Sequence, residues 1–394
     1  MALDETGNGT NSPRRSGPLA GVRVIDLGGI GPGPFAAMLL ADMGADVVRI
    51  DRPGPQAFRA DLLHRGKRSA MIDLRDPAGA QAALQIISDC DILIEGFRPG
   101  VAERLGLGPE ECWECNPKLV YGRMTGWGQD GPRRGEAGHD ITYIALSGAL
   151  HAIGRVGEPP TIPLNLVGDL GGGSAYMVMG VLAAYVEAGR SGHGQVVDAA
   201  ILDGAFSLMS PQYGMLADGE WVDERGVNQL DSGRPWYNVY ETSDGRYMAV
   251  GALEQRFYDE FTTLLGLTPV EAEREDPARW PALQERFTAI FARRTRAEWE
   301  EVFDGRDACV APVLSMTEAP MNDHVLARGV FQTIDGVVQP GPAPRFSRTP
   351  SAVQSGPAVP GEHTREVLRD FGVSDIEGLE NRGVVNQIIE AIPR

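Results

Sequence analysis

The chain has 394 residues, of which 42% are hydrophobic and 23% are charged, as in ordinary globular proteins. This length predicts two domains or one large elaborated domain rather than a single small core. The formal net charge of −18 argues against a nucleic-acid partner, because the overall field would repel a polyanion.

Residues 1–16 are polar, glycine-rich and without periodicity, which predicts a disordered leader. They lack the apolar core of a signal peptide. The sequence also shows no continuous apolar run near the roughly 20 residues that a membrane span needs. We therefore expect a cytoplasmic protein that has no membrane partner.

The cysteines are few and unevenly spaced, which argues against a disulfide framework and agrees with a reducing compartment. Cys112 and Cys115 have the spacing of a redox or zinc pair. Neither a second pair nor a nearby histidine completes four ligands, so we interpret the spacing as coincidence and predict no metal site.

The first part of the chain alternates apolar strands with amphipathic helices, the pattern of a parallel sheet covered by helices. This pattern predicts an α/β fold. The predicted strands are 21–28, 46–51, 91–97 and 119–124, and the predicted helices are 34–44 and 78–89.

A Gly-x-Gly-x-x-Ala run over residues 31–36 follows the first strand, and Asp51 ends the second strand. Together they superficially fit a dinucleotide-binding fingerprint. Pro32 and Pro34, however, remove backbone donors from the loop that would hold a pyrophosphate. The match is weak, and it favours a strand-to-helix turn with another purpose over a nicotinamide or flavin site.

The stretch from Arg49 to Arg104 is the local exception to the acidic composition. It holds nine basic residues against eight acidic ones and is nearly neutral. Arginine is well suited to binding phosphate groups. A small phosphorylated ligand is therefore a candidate for this part of the chain.

Two glycine-bearing runs, AGHDITY (137–143) and NLVGDLGGGS (165–174), offer His139 and Asp169 as proton carriers. An imidazole titrates near pH 6.5, and burial can raise a carboxyl group toward that value, so such a pair can exchange protons at ordinary pH. From spacing alone, a structural role for His139 is as good an interpretation as a catalytic one.

Asp169 has two interpretations of its own. It could merely cap a helix that the triplet 171–173 opens and that runs to about Ala188. In the functional interpretation, the triplet supplies backbone donors near a helix start, where they would stabilise a developing negative charge.

The composition changes near residue 225, where a strand pair (236–240 and 246–252) precedes helices that extend to about Phe303. A Pro-rich, Gly-rich tract over 337–361 predicts an extended return segment, followed by a helix over 363–371. The predicted organisation is a large domain over 17–224, a small α+β domain over 225–330, and a segment over 331–394 that completes the large domain.

Six specific runs occur in order over about residues 17–394: GVRVIDLGGIGPGPFAAMLLADMGADVVRIDRPG, RGKRSAMIDLR, ILIEGFRPGVAERLGLG, AGHDITYIALSG, NLVGDLGGG and PGEHTREVLRDFG. With these runs the chain resembles the family III CoA-transferases and, within that superfamily, the α-methylacyl-CoA racemases. The resemblance implies a Rossmann-like first domain that holds CoA as part of the substrate, with no separate cofactor. It also implies an interlocked homodimer, in which Glu254 of the partner chain lies near His139.

The resemblance further implies which residues contact the acyl-CoA thioester. Arg52 would contact the phosphates and Arg104 would add a charge. Gly138 and Tyr143 would border the pantetheine and the thioester. The adenosine would be lined by Ile72, Asp73, Leu74, Arg75, Gly96, Phe97 and Arg98.

Within the superfamily, the choice lies between a transferase and a racemase. Transferases use an aspartate at the position of Asp169 as a nucleophile. Racemases have a histidine followed by an acid, as His139 and Asp140 are here. The resemblance thus implies an isomerase that epimerises 2-methylacyl-CoA thioesters through His139 and Asp169, with Asp140 and Glu254 orienting the histidine and the glycine-rich helix start holding the enolate.

Two alternatives remain open from the sequence. One is a family III CoA-transferase with Asp169 as its nucleophile. The other is a non-catalytic protein that binds CoA esters and in which Asp169 only caps a helix.

Overall fold

The computed structural model describes residues 15–52, 61–270 and 272–387. The chain divides into two compact units. Of the described residues, the first unit comprises 15–52, 61–144, 165–208 and 329–387, and the second comprises 145–164, 209–270 and 272–328.

The described residues form twelve strands, which we number in chain order. They are β1 Arg23–Asp26, β2 Asp46–Asp51, β3 Lys67–Ile72, β4 Ile92–Glu95, β5 Val120–Thr125, β6 Val196–Ala200, β7 Tyr237–Glu241, β8 Tyr247–Gly251, β9 Val310–Pro312, β10 Phe331–Ile334, β11 Val337–Pro340 and β12 Val385–Asn386.

The α-helices are numbered in the same way. They are α1 Pro32–Asp42, α2 Pro77–Ile87, α3 Val101–Arg104, α4 Pro109–Cys115, α5 Asp140–Leu146, α6 Ala149–Ala152, α7 Tyr176–Ser191, α8 Ile201–Leu208, α9 Ser210–Ala217, α10 Gln255–Leu264, α11 Trp280–Phe291, α12 Arg296–Phe303, α13 Asp323–Ala327, α14 Thr364–Asp370 and α15 Ile376–Asn381. A π-helix, Leu166–Ala175, runs directly into α7.

A seven-stranded sheet with the order β12-β3-β2-β1-β4-β5-β6 forms the centre of the first unit. All neighbouring strands are parallel except β12, which pairs with β3 in the antiparallel sense. The order 3-2-1-4-5-6 is that of doubly wound nucleotide-binding sheets, whose ligands bind where the strand order reverses. The predicted α/β fold with a parallel sheet is confirmed.

The two faces of this sheet are covered by different helices. Val24 and Ile25 are neighbours in β1, yet Val24 packs with α1 and α7 and Ile25 packs with α2 and α14. Successive strand residues point to opposite faces, so a strand that is covered on both sides must be apolar throughout. This is why β1, β2 and β4 are recognisable in the sequence.

Strand β3 is absent from the sequence prediction because it begins with the polar residues Lys67, Arg68 and Ser69. Each of these side chains contacts a carboxylate of another strand: Lys67 that of Asp26, Arg68 that of Asp46, and Ser69 that of Asp51. These partners lie 18 to 41 residues away, too far for a local pattern to reveal them.

The second unit is an α+β arrangement. Its sheet has the order β7-β8-β9 and is antiparallel. Helices α10, α11 and α12 pack on it through an aromatic core that includes Tyr240, Phe261 and Phe291. Tyr240 stacks on Phe291 at a centroid distance of 5.0 Å.

The second unit also contains residues 145–164 and 209–224, which the sequence assigns to the large domain. The first segment is held there by a hydrogen bond from Arg155 Nη1 to Asn238 Oδ1 (2.6 Å). Arg225 Nε donates to the carbonyl oxygen of Glu158 at 2.8 Å. These two contacts join residues that are 83 and 67 positions apart, and they carry no local sequence signal.

The ends of the chain are described in part. Of the predicted leader, residues 1–14 lie outside the described residues, while Arg15 donates to the carbonyl oxygen of Gly66 at 2.8 Å and pairs with Asp46 at 3.1 Å. Residues 388–394 of the predicted return segment also lie outside them. The four cysteines, all within the described ranges, are free thiols.

One helical stretch of the described chain, Leu166–Ser191, is long and apolar enough to span a membrane by length and composition, with a mean hydropathy of 1.3. A core helix of a globular protein passes the same test. Met177 and Val181 of this stretch are fully buried against the central sheet. The sequence shows no unbroken apolar run here, because small residues such as glycine interrupt it.

The π-helix and α8 approach each other so closely that only glycine fits between them. A Cβ atom on Gly204 would lie 1.9 Å from the carbonyl oxygen of Gly172, and one on Gly172 would lie 2.7 Å from the amide nitrogen of Ala205. The triplet 171–173 therefore serves helix packing. It lies inside the helix and does not open it, since the helix begins at Leu166.

We expect Gly204→Ala to lower the free energy of unfolding by about 3 kcal/mol, because the methyl group must push two helices apart. Gly189→Ala is the matched control: Gly189 lies in α7 with nothing within 4 Å of the added Cβ, so helix propensity should raise stability by up to about 1 kcal/mol. Urea unfolding of both variants measures this difference. Equal stability of the two variants would contradict the close approach.

Candidate active site

A cleft of about 630 Å³ opens at the carboxyl ends of the parallel strands of the first unit. This is the edge of a doubly wound sheet at which ligands bind. The loops after β1, β2, β4 and β5 and the segment before α5 form its walls. The lining residues are 27–34, 49–52, 96–99, 124–127, 136–139, His64, Arg134, Tyr143, Asp169 and Ile201.

His139 and Asp169 both line this cleft. His139 directly precedes α5, and its backbone is fixed by Thr142: the amide of Thr142 donates to the carbonyl oxygen of His139 at 2.8 Å, and the amide of His139 donates to Thr142 Oγ1 at 3.1 Å. The histidine is exposed to the cleft. The structure thus places on one cleft the two predicted proton carriers, which lie thirty positions apart in the sequence.

Asp169 is the fourth residue of the π-helix and is half-buried. Its carboxylate faces the glycine loop after β1, since a Cβ on Gly31 would lie 3.5 Å from Asp169 Oδ2. Burial, aided by the nearby negative charge of Asp140, raises the pKa of Asp169. The N-cap of this helix is Asn165, four positions earlier, so the interpretation of Asp169 as a helix cap is wrong.

The side chain of Asp140 binds the backbone of Asp169 and does not orient the ring of His139. Its Oδ1 accepts a hydrogen bond from the amide of Asp169 at 2.6 Å, and the residue is only 5% exposed. A Cβ on Gly168 would lie 2.4 Å from this oxygen, so glycine is required beside it. The sequence suggested that Asp140 orients the histidine, but as the first residue of α5 its side chain turns inward toward the π-helix.

The glycine triplet does not offer the backbone donors that the sequence suggested. Leu170 already donates to the carbonyl oxygen of Asn165 at 3.2 Å, so the triplet that follows lies within the hydrogen-bonded ladder of the helix. An oxyanion could not be bound by N–H groups that are engaged in this way.

Ser174 connects the glycine loop to the segment that carries Asp169. Its buried hydroxyl lies 2.8 Å from the carbonyl oxygen of Pro32 and 3.0 Å from that of Asp169. A hydroxyl has one proton, so the two carbonyl groups share this donor. Pro32, one of the two prolines that weaken the dinucleotide fingerprint, thereby contributes a carbonyl group to the contact that holds the Asp169 backbone.

Tyr143 forms part of the cleft wall and packs edge-on against Trp127 at a centroid distance of 4.7 Å. Its ring occupies the space that side chains would fill at two glycines: a Cβ would lie 2.1 Å from the ring at Gly126 and 2.5 Å from it at Gly138. Burial raises the pKa of Tyr143 and keeps the phenol neutral.

The proposed CoA contacts divide into two groups. Arg52, Gly96, Phe97, Arg98 and Gly138 line the cleft. The others lie outside its wall: Ile72 is buried in the core beside β12, Asp73 pairs with Arg75 at 2.9 Å, Leu74 packs against the same core, and Arg104 is exposed at the end of α3.

Glu254 lies in the second unit, exposed and immediately before α10. Its expected approach to His139 of a partner chain stays a prediction. The cleft is also lined by Arg49 and Asp51, which the sequence placed in the nearly neutral stretch and in the weak fingerprint, and by three side chains to which it gave no role: His64, Arg134 and Glu136. Within the ranges that the structure describes, no group of three or more histidine, cysteine or acidic residues is placed to hold a metal ion.

Glu95 fixes one wall of the cleft from within the sheet. It ends β4, is 3% exposed, and its Oε2 accepts the amide of Phe97 at 2.6 Å. Burial raises the pKa of Glu95 to about 7, against the opposing effects of this hydrogen bond and of Arg123.

Because the folded state holds this proton more tightly than the unfolded state, ionisation of Glu95 should cost stability as the pH rises from about 4.5 to 7. Glu95→Gln keeps the acceptor for Phe97 and cannot ionise. We expect its free energy of unfolding, relative to the parent chain, to increase by on the order of 2 kcal/mol between pH 5 and pH 8. A difference that does not vary with pH in urea titrations would contradict this.

The chain is similar to known proteins over most of its length. A family model described as CoA-transferase family III matches residues 19–364. The alpha-methylacyl-CoA racemase of Mus musculus is 46% identical over 367 residues, which cover 92% of this chain and 95% of that protein. The human protein of the same name is 45% identical over 363 residues, with 90% and 94% covered.

A solved structure extends the likeness to the fold. The crystal structure of a CAIB/BAIF family protein from Brucella suis superposes with a TM-score of 0.78 at 24% identity and covers 91% of this chain and 100% of its own. The resemblance expected from the sequence runs is confirmed: the chain belongs to CoA-transferase family III.

Proposed function

We propose that this chain is an isomerase that epimerises the α-carbon of 2-methylacyl-CoA thioesters. The observation that carries the proposal is the placement of His139 and Asp169 on one cleft that also presents arginines. Relatives more than 40% identical over nine-tenths of the chain bear the name alpha-methylacyl-CoA racemase, which supports the same activity.

Inversion at carbon requires that a proton leaves one face and another arrives on the opposite face. A single base would tend to return the proton to the face from which it came. In the proposed reaction neutral His139 takes the α-proton and becomes an imidazolium, the electron pair moves into an enolate, and protonated Asp169 donates to the other face. The return reaction then begins with an Asp169 carboxylate and a protonated His139.

The raised pKa of Asp169 supports its assignment as the proton donor. A base and an acid can work together only if one begins unprotonated and the other protonated. Burial raises the pKa of Asp169, which favours the protonated form needed at the start. Asp140 holds the Asp169 backbone, and the hydroxyl of Ser174 binds its carbonyl group, so the carboxyl is positioned by two separate contacts.

The charged end of the substrate would lie along the arginines of the cleft. Arg52, Arg98 and Arg134 are exposed on its wall and suit the phosphate groups of CoA. Gly96 and Phe97 would border the adenosine. These local cations allow an otherwise acidic protein to bind a polyanionic substrate.

The proposal includes a homodimer and a cytoplasmic location. Apolar side chains on α7 support an interface, because Met179 and Val186 are 59% and 53% exposed. In the interlocked arrangement that the family resemblance implies, Glu254 of the partner chain would lie near His139 and tune it.

Single substitutions can test the proposed roles of His139 and Asp169 one at a time. We expect His139→Gln and Asp169→Asn each to lower epimerisation by about 10³-fold, because each removes a general acid–base group. Each variant should still exchange the α-proton of one enantiomer with deuterated water, with retention, since one base remains. Chiral analysis and mass spectrometry of a 2-methylacyl-CoA ester measure both quantities.

His193→Gln is the control for these variants, because His193 is an exposed histidine in the turn after α7 and outside the cleft wall. Undiminished epimerisation in a His139→Ala, Asp169→Ala double variant would overturn the mechanism. Binding of the acyl-CoA by the parent chain without any α-proton exchange would identify a non-catalytic CoA-ester binding protein.

The transferase alternative makes a different prediction. A nucleophilic Asp169 would form an acyl anhydride that hydroxylamine converts to a hydroxamate at this residue. We expect no such adduct when the chain is incubated with acyl-CoA and hydroxylamine, and no transfer of CoA to added carboxylic acids. A hydroxamate at Asp169 in the peptide map would establish the transferase instead.

A further inference from the structure

Three residues of the cleft wall carry a polar atom without a hydrogen-bond partner among the described residues: Trp127 (Nε1), Arg49 (Nη1) and His64 (Nδ1). The charge of Arg49 acts on the His64 ring, so Arg49 Nη1 and His64 Nδ1 belong to one part of the cleft. Both atoms are shielded from solvent, and both residues line the cleft. Arg49 is only 2% exposed. Since buried polar atoms in folded proteins almost always have partners, each of these atoms points to a ligand group that completes it.

Arg49 offers a hydrogen-bond donor, Nη1, and the positive charge of its guanidinium group is already neutralised by Asp51. Its Nε and Nη2 lie 2.8 Å and 2.7 Å from Asp51 Oδ2, and the hydroxyl of Ser69 donates to the same oxygen. The buried pair of the Arg49 guanidinium and the Asp51 carboxylate has no net charge. It is therefore better suited to bind an uncharged acceptor, such as a carbonyl oxygen, than to bind a phosphate. The exposed arginines of the cleft are better placed for phosphate groups.

His64 offers an acceptor. Burial and the charges of Arg49 and Lys67 lower the pKa of His64 to about 4, so the ring is neutral at pH 7. Its Nε2 lies 3.4 Å from Asp61 Oδ2. A neutral imidazole keeps its proton on the nitrogen that faces an acceptor, so we assign the proton to Nε2 and leave Nδ1 with a free lone pair.

We propose that Arg49 and His64 form a subsite for an amide group of the pantetheine arm of the substrate. Arg49 Nη1 donates to the amide carbonyl oxygen, and His64 Nδ1 accepts the amide N–H. An amide presents this combination of acceptor and donor, whereas a phosphate presents acceptors only. The inference rests on the proposed acyl-CoA substrate and assigns one part of it to two side chains.

Calorimetry with two probes tests this assignment: CoA itself, and adenosine 3′,5′-bisphosphate, which is the part of CoA without pantetheine. We expect His64→Leu to weaken CoA binding roughly three- to tenfold, the effect of one hydrogen bond, and to leave binding of the bisphosphate unchanged. His64→Asn should restore CoA binding, because its Oδ1 supplies an acceptor near the position of Nδ1.

Arg49→Lys is the second variant. It keeps a positive charge beside Asp51 but removes Nη1, so the same selective loss of CoA binding is expected. His193→Leu, a substitution outside the cleft wall, should change neither dissociation constant. Thermal unfolding of each variant shows whether it is folded at the temperature of the titration.

Equal weakening of both probes in the folded variants would overturn the subsite, because it would place His64 and Arg49 against the nucleotide. Unchanged CoA binding in both variants would overturn it as well. Failure of the parent chain to bind CoA would be a different result, since it would reject the proposed function from which the subsite follows.

Discussion

The buried ion pair between Lys67 and Asp26 is the interaction on which the cleft depends. Both side chains are completely inaccessible to solvent, with 2.8 Å between Nζ and Oδ2. Lys67 also donates to the carbonyl oxygen of Pro34 at 2.9 Å, and Asp26 Oδ1 accepts the amide of Gly28 at 3.0 Å. The pair therefore joins β3 to β1 and fixes both ends of the loop that faces Asp169.

Such a pair is costly to disrupt. Burial alone would raise the pKa of Asp26, but the Lys67 ammonium holds it below its ordinary value, so the carboxylate stays charged. Removal of one member of a buried pair leaves an uncompensated charge and typically costs about 3–5 kcal/mol. The conformation and the position of the glycine loop thus depend on the charged pair of Lys67 and Asp26 in the core of the sheet.

Two glycines near this loop leave space for larger side chains. Gly168 leaves room for the Asp140 carboxylate that binds the Asp169 backbone, and Gly126 leaves room for the ring of Tyr143. Burial of the Asp169 carboxyl against these surfaces raises its pKa, while His139 stays exposed to the cleft. Two titratable groups in different environments are what the proposed two-base inversion at carbon requires.

Much of the architecture was evident in the sequence. Apolar runs mark β1, β2, β4 and β5 because both of their faces are covered, and the family runs identify His139 and Asp169 as a pair. Local pattern could not reveal β3, the placement of residues 145–164 in the second unit, or the role of Asp140, since each depends on partners distant along the chain.

The sequence by itself determined the fold class and the family, and it predicted His139 and Asp169 as proton carriers, because periodicity and motifs are local properties. Only the tertiary structure decided that the glycine triplet packs against α8 and donates nothing to the cleft, and that Ile72 is buried in the core. It also placed Arg49 and His64 on the cleft wall, each with an atom that has no hydrogen-bond partner in the part of the chain that the structure describes. Which atoms lack partners depends on how distant segments pack, and that information exists only in the folded chain.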